Sequence, residues 1–235
     1  MISDIPGIKQ LVKRLFLLLA VVCACESATA QGENPSESKK LIVVTDDQYP
    51  PYSFRDADGT LRGIIPDQWA LWEKKNHVKI ELKGMDWFDA QQMIESGQAD
   101  VIDTIFFTKE RAKKFDFTPA YAELAVPVYA HEDLGGITDI PSLKGLTVGV
   151  KAGDAVISHL RDRGVTNLKE YPSYEAVILA AKQNEIKVFS VDKPAALYFM
   201  YKLGVSSVYR ESFILYTGHF RRAVRKNQID LLNLL

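Results

Sequence analysis

The chain has 235 residues, 47% of them hydrophobic and 25% charged, enough apolar material for one large core or two small lobes without covalent staples. Its 29 basic and 30 acidic residues leave a formal charge of −1, so there is no basic field for a nucleic acid backbone. Two cysteines, Cys23 and Cys25, and four scattered histidines, His77, His131, His159 and His219, have no metal-ligand spacing, and no cofactor is expected.

In chain order, Lys9, Lys13 and Arg14 precede an apolar run from Leu15 to Ala24, and Ala28-Thr29-Ala30 offers a small-x-small cleavage site. This order predicts a secretory signal over residues 1–30, and with it a periplasmic or extracellular protein. Val22-Cys23-Ala24-Cys25 also offers a lipid-anchor site at Cys25, and both cysteines lie in or beside the signal. Residues 31–40 are polar and read as a flexible spacer. A buried strand is expected at 41–45, then a loop fixed by Pro50 and Pro51 and a turn at Asp58-Gly59. Helices at 66–75 and 87–96 flank a strand at 78–83, and Gly97 ends the second helix. A strand at 99–105, a helical turn at 108–114 and a strand at 125–130 follow. Trp69 and Trp72, three apart on a helix, read as core.

The alternation then repeats: a turn at 140–143, strands at 147–150, 168–171 and 187–191, and helices at 153–163, 173–184 and 194–203, the last with Pro194 in its first turn. A final helix at 227–235 carries Leu231, Leu232, Leu234 and Leu235, which read as a packing face cut off before its partner, as in a piece of a longer chain. Strand–helix alternation argues an α/β fold with a mainly parallel sheet. Extended segments near 127–131 and 216–224 divide it into lobe 1 (41–130), lobe 2 (131–216) and a return toward lobe 1 (217–235).

The segment from Ala99 to Tyr121 carries the most chemistry. Its apolar run ends in small polar residues, and Thr108-x-x-Arg111 follows. A helix start there would set N–H groups and a planar guanidinium around one small volume, a setting suited to a carboxylate. The sequence contains no P-loop, H-E-x-x-H or G-x-S-x-G motif.

Four further segments carry a family likeness: Asp47-Gln-Tyr-Pro-Pro-Tyr-Ser-Phe54, Asp58-Gly-Thr-Leu-Arg-Gly63, Ser142-Leu-Lys-Gly-Leu-Thr-Val-Gly-Val150 and Val191-Asp-Lys-Pro-Ala-Ala-Leu197. With the Asp100–Tyr121 segment they resemble the family 3 extracellular solute-binding proteins, across nearly all of residues 41–225. The resemblance implies a type II periplasmic binding protein fold, two mainly parallel α/β lobes joined by two hinge strands and closing on a small ligand. It implies no enzyme activity. It assigns Arg111 to a ligand α-carboxylate and Asp192 to its α-ammonium, with Asp46 and Tyr49 touching the ligand from the first loop. Phe106 and Trp87 become candidate apolar walls. Asp192 and Asp154 also read as helix N-caps, Asp46 as a turn cap, Arg111 as a surface helix residue and the aromatics as core. Asp103-Thr104 and Asp154 stand where many members carry small hydroxyl residues or glycine, so either Asp103 faces away from the site or the ligand is not a plain α-amino acid. The acids Asp46, Asp103, Asp154 and Asp192 together would favour a cationic ligand, an amino acid or a polyamine. The implied partner is a membrane permease. The wording of Asp100–Arg111 and Leu215–Val224 is closer to the branch fused to a histidine kinase or diguanylate cyclase. A dehydratase or lytic role, with Glu123 or Asp103 as acid–base, is the remaining alternative.

Overall fold

Strand β1 (Leu41–Asp46) is the middle of the first lobe, and its Val43, Val44 and Thr45 are fully buried. A short run buried on both faces is what a parallel strand between helices requires. The computed structural model describes residues 40–235. The expected signal, both cysteines and the spacer up to residue 39 lie outside the described residues.

After β1 the chain makes a small antiparallel meander: β2 (Gln48–Tyr49), β3 (Ser53–Arg55) and β4 (Leu61–Arg62). Helix α1 (Ile64–Asn76) then starts at Gly63, whose φ of 120° and 2.4 Å approach of a would-be Cβ to the Tyr52 carbonyl exclude any side chain. Strand β5 (Ile80–Met85), helix α2 (Trp87–Glu95) and strand β6 (Val101–Ile105) follow, with α2 capped by Asp86 accepting from the Phe88 N–H at 2.8 Å. Both β5 and β6 pair in parallel with β1.

Strand β7 (Phe115–Phe117) precedes β8 (Ala122–His131), which leads into the second sheet. There β9 (Val148–Lys151) precedes helix α3 (Ala155–Arg161), β10 (Leu168–Tyr171) precedes helix α4 (Tyr174–Lys182), and β11 (Val188–Ser190) precedes helix α5 (Lys193–Leu203). Strands β10 and β11 both lie parallel to β9. Strand β12 (Tyr209–Arg225) and helix α6 (Ile229–Leu234) complete the described chain.

Strand β12 explains how two sheets become one body. Its first part pairs antiparallel with β8, from Tyr209 opposite His131 to Phe220 opposite Ala122, and its last part pairs with β6 and β7. Strands β8 and β12 are thus the two connections between the lobes. Register shifts near Glu211–Phe213 and Ile214–Tyr216 add local twist to this ladder.

Three expectations change. The extended segment expected at 216–224 is the second half of a 17-residue strand, because β12 serves both sheets. The helical turn expected at 108–114 is a single 3-10 turn, Arg111–Lys113, so it has little dipole to offer an anion. Three of the four leucines of the last segment do find a partner: Leu231, Leu232 and Leu235 pack, partly buried, on a first-lobe cluster that includes Val43, Ile65 and Trp69, while Leu234 stays exposed. Trp69 is 1% exposed within that cluster, the core position its helical spacing suggested.

Candidate functional site

The carboxyl ends of β1, β6, β9 and β11 converge on one cavity between the sheets, the place where open α/β sheets gather ligand-binding groups. The empty space there, counting the part open to solvent, is about 290 Å³. Asp46, Tyr49, Trp87, Thr104, Phe106 and Arg111 line it from the first lobe. Lys151, Asp154, Tyr174 and Asp192 line it from the second.

Arg111 is aimed by the turn that precedes it. The Thr108 hydroxyl accepts from the Arg111 N–H at 3.1 Å, and Arg111 Nη1 donates to the Phe106 carbonyl at 2.7 Å. Nη2 reaches the other lobe and donates to the Gly153 carbonyl at 2.8 Å. The guanidinium lies 5.6 Å from the centre of the Trp87 ring. Burial lowers its pKa, against the pull of Asp154 and nearby tyrosines, but the group stays charged.

Asp192 precedes α5, yet its side chain makes no capping bond. Oδ2 accepts from the hydroxyls of Tyr49, across the cleft, and of Tyr174 at 2.9 Å. Oδ1 is buried and has no partner among the described residues. Burial, and then the neighbouring Asp154, push its pKa up to about 8, against the two tyrosine hydrogen bonds. This carboxyl therefore holds a spare oxygen for a donor, and a positive ligand group would restore its charge. Asp192 thus occupies the N-cap position of α5 while its side chain turns to the cavity.

Asp46 combines a local and a cross-cleft role. Oδ1 accepts from the Gln48 N–H at 2.9 Å, a local turn cap, and Oδ2 pairs with the ammonium of Lys151 from the second lobe. Both side chains are almost wholly buried, and desolvation outweighs the pull of Lys151, leaving the Asp46 pKa raised. Asp154 caps α3 through the Val156 N–H at 3.2 Å, while its other oxygen lies 2.7 Å from the Tyr174 hydroxyl in the cavity wall and shares that one proton with Asp192. Capping and cavity lining coexist there.

Thr104 carries a φ of 58°, an unusual conformation for a β-branched residue, where β6 turns into the cavity. Phe106 packs against Phe220 at a ring distance of 5.6 Å and over Gly218, where a Cβ would lie 2.3 Å from the ring. Trp87 Nε1 donates to the Gly153 carbonyl at 3.2 Å, so this wall also touches the opposite lobe.

Asp103 is the correction. Side chains alternate along a strand, and its carboxylate faces away from the cavity. It accepts from Trp69 Nε1, Tyr121 Oη and the Thr104 N–H, each at 2.6 Å, with Arg222 Nε at 3.6 Å. It holds the β6 end in place and adds no charge to the site. With Asp103 removed and Asp46 matched by Lys151, the acid count that favoured a cationic ligand falls to Asp154 and Asp192.

Four site residues were not singled out from the sequence: Lys151, Tyr174, Gly153 and Gln91. Lys151 has a signal, since it ends the buried run Val148-Gly149-Val150 at the edge where ligand groups gather. Gly153 has a φ of 69°, and its carbonyl also accepts from Gln91 Nε2 at 3.3 Å.

The sequence profile of the bacterial extracellular solute-binding proteins, family 3, matches residues 41–235. The chain belongs to this family. The chain is similar to the arginine-binding extracellular protein ArtP of Bacillus subtilis, 33% identical over 146 residues, covering 60% of this chain and 56% of ArtP. The aligned part thus spans little more than half of that relative. The L-cystine-binding protein TcyJ of Escherichia coli K12 is 29% identical over 201 residues, covering 83% of this chain and 74% of TcyJ. Among solved structures, a histidine kinase sensor domain with similarity to periplasmic binding proteins superposes with a TM-score of 0.78 at 20% identity, covering 83% of this chain and 86% of that domain. That likeness establishes the shared fold. Family 3 is a family of binding proteins, and among the described residues no helix is long and apolar enough to cross a membrane.

Proposed function

We propose that the cleft binds a small α-amino acid, outside the cytoplasm, and that the lobes close around it without chemical turnover. The carrying observation is the pairing of Arg111, from the first lobe, with Asp192, from the second, across one cavity. A guanidinium and a carboxyl with a free buried oxygen match the two ends of a zwitterion. Bridging both lobes favours the closed form by the extra affinity of that form alone. The amino-acid-binding names of ArtP and TcyJ support the ligand class.

Closure of this kind serves a transport permease or a fused signalling domain equally well. The resemblance of Asp100–Arg111 to sensor-fused members favours signalling. Disrupting the gene separates the two: lost amino-acid uptake supports transport, and intact uptake with a lost transcriptional response supports sensing. The binding claim itself is tested by calorimetry on the purified protein with a panel of amino acids. Saturable binding of at least one supports it, and no binding across the panel overturns it.

A further inference from the structure

Asp46 and Lys151 meet inside the cavity from opposite lobes, and neither has solvent to itself. Lys151 is 2% exposed and its ammonium lies 4.7 Å from the centre of the Tyr174 ring. A carboxylate and an aromatic face together form a cation seat. Here a side chain of the protein already sits in it.

We propose that Lys151 is a specificity-determining residue that fills the cation seat at Asp46 and so selects amino acids with uncharged or acidic side chains over arginine and lysine. The inference rests on the amino-acid reading of the cleft and refines it. Arg111 answers the ligand carboxylate and Asp192 answers its ammonium. Asp46 is matched by Lys151, and Asp154 is held by the Val156 N–H and the Tyr174 hydroxyl. Both oxygens of Asp154 already accept a hydrogen bond, so Asp192 Oδ1, taken by the ligand ammonium, is the acid oxygen of this cavity with no partner among the described residues. A guanidinium or ammonium directed at Asp46 would meet Lys151 in a poorly solvated space, where like charges repel strongly. The ammonium has three donors and spends one on Asp46, so it favours a side chain that accepts hydrogen bonds. Likeness to an arginine-binding relative points the other way, and the residue at 151 is the reason to depart from it.

The test is calorimetric titration of wild type, Lys151→Met and the double variant Asp46→Asn/Lys151→Met with each proteinogenic amino acid. Wild type is expected to bind at least one neutral or acidic amino acid ten-fold or more tighter than arginine or lysine. Lys151→Met, which frees Asp46, should shift that ratio toward arginine by ten-fold or more. The double variant, with no charge at either position, should lose that gain. Arginine as the tightest wild-type ligand, or an unchanged ratio in Lys151→Met, overturns the proposal while leaving amino-acid binding intact. Binding of no amino acid by a folded wild type defeats the amino-acid reading itself, and this proposal with it. Should Lys151→Met not fold, the wild-type ratio alone decides between the two outcomes.

Discussion

Replacing Arg111 with alanine removes the group expected to hold the ligand carboxylate. Its fork is already oriented: Nη1 is fixed on the Phe106 carbonyl at 2.7 Å, so the edge bearing Nη2 faces the cavity and the second lobe. A bound carboxylate would take Nη2 from the Gly153 carbonyl, exchanging a bond to a neutral acceptor for one to a charged acceptor. Hydrogen bonds to charged groups contribute about 1.5–3 kcal/mol. Losing one weakens Kd by about 10- to 150-fold. The site is partly shielded from solvent, so added salt should recover little of the wild-type difference. Isothermal titration with the tightest-binding amino acid measures the loss, and melting of the unliganded variant confirms that the hydrophobic clusters are intact. An Arg111→Ala affinity equal to wild type would refute the assignment of the carboxylate.

Asp192 has a pKa raised from 3.8 to about 8, so the folded protein holds its proton where the unfolded chain has lost it. The contribution of this group to unliganded stability is therefore greatest at low pH and declines as pH rises through that window. Amino-acid affinity should rise over the same window, because the ligand ammonium needs the carboxylate; thermal melts and titrations at several pH values check both, and Asp192→Asn should flatten both profiles. Asp103→Ala strands Trp69 Nε1, the Tyr121 hydroxyl and the Arg222 guanidinium, and should cost about 3–5 kcal/mol in urea unfolding, as expected when a buried charge loses its partner. Gly153→Ala places a Cβ 2.6 Å from Gln91 Nε2 at a φ of 69°. It should cost about 1–2 kcal/mol for the left-handed backbone, with small-angle scattering showing a more open particle.

Much of the fold was legible because its elements are short and locally determined. The buried run Leu41–Thr45, the capped helix at Trp87 and the helix after Asp192-Lys-Pro each announce themselves by composition or capping. Strand β7 and the first half of β12 were not read as strands, since their partners lie about a hundred residues away and their own patterns are weak. At the site, Asp192 follows the end of β11 and Arg111 sits on the turn after β6, so topology brings both to one cavity, a consequence that motif order conveys well. The sequence leaves the direction of Asp103 open because one step along a strand reverses the face, and the structure resolves it where Thr104 turns into the cavity. Lys151 is hard to read from sequence for a related reason. A lysine ending an apolar strand looks like the return to solvent, and only the opposing Asp46 shows that it points inward.

The central claim is that the two ends of one amino acid are held by Arg111 and Asp192 from opposite lobes. A crystal structure of the protein with its tightest-binding amino acid tests it most directly. The ligand carboxylate is expected on the Arg111 guanidinium and the ligand ammonium on Asp192 Oδ1. A ligand bound in the cleft with neither end on these two residues would contradict it.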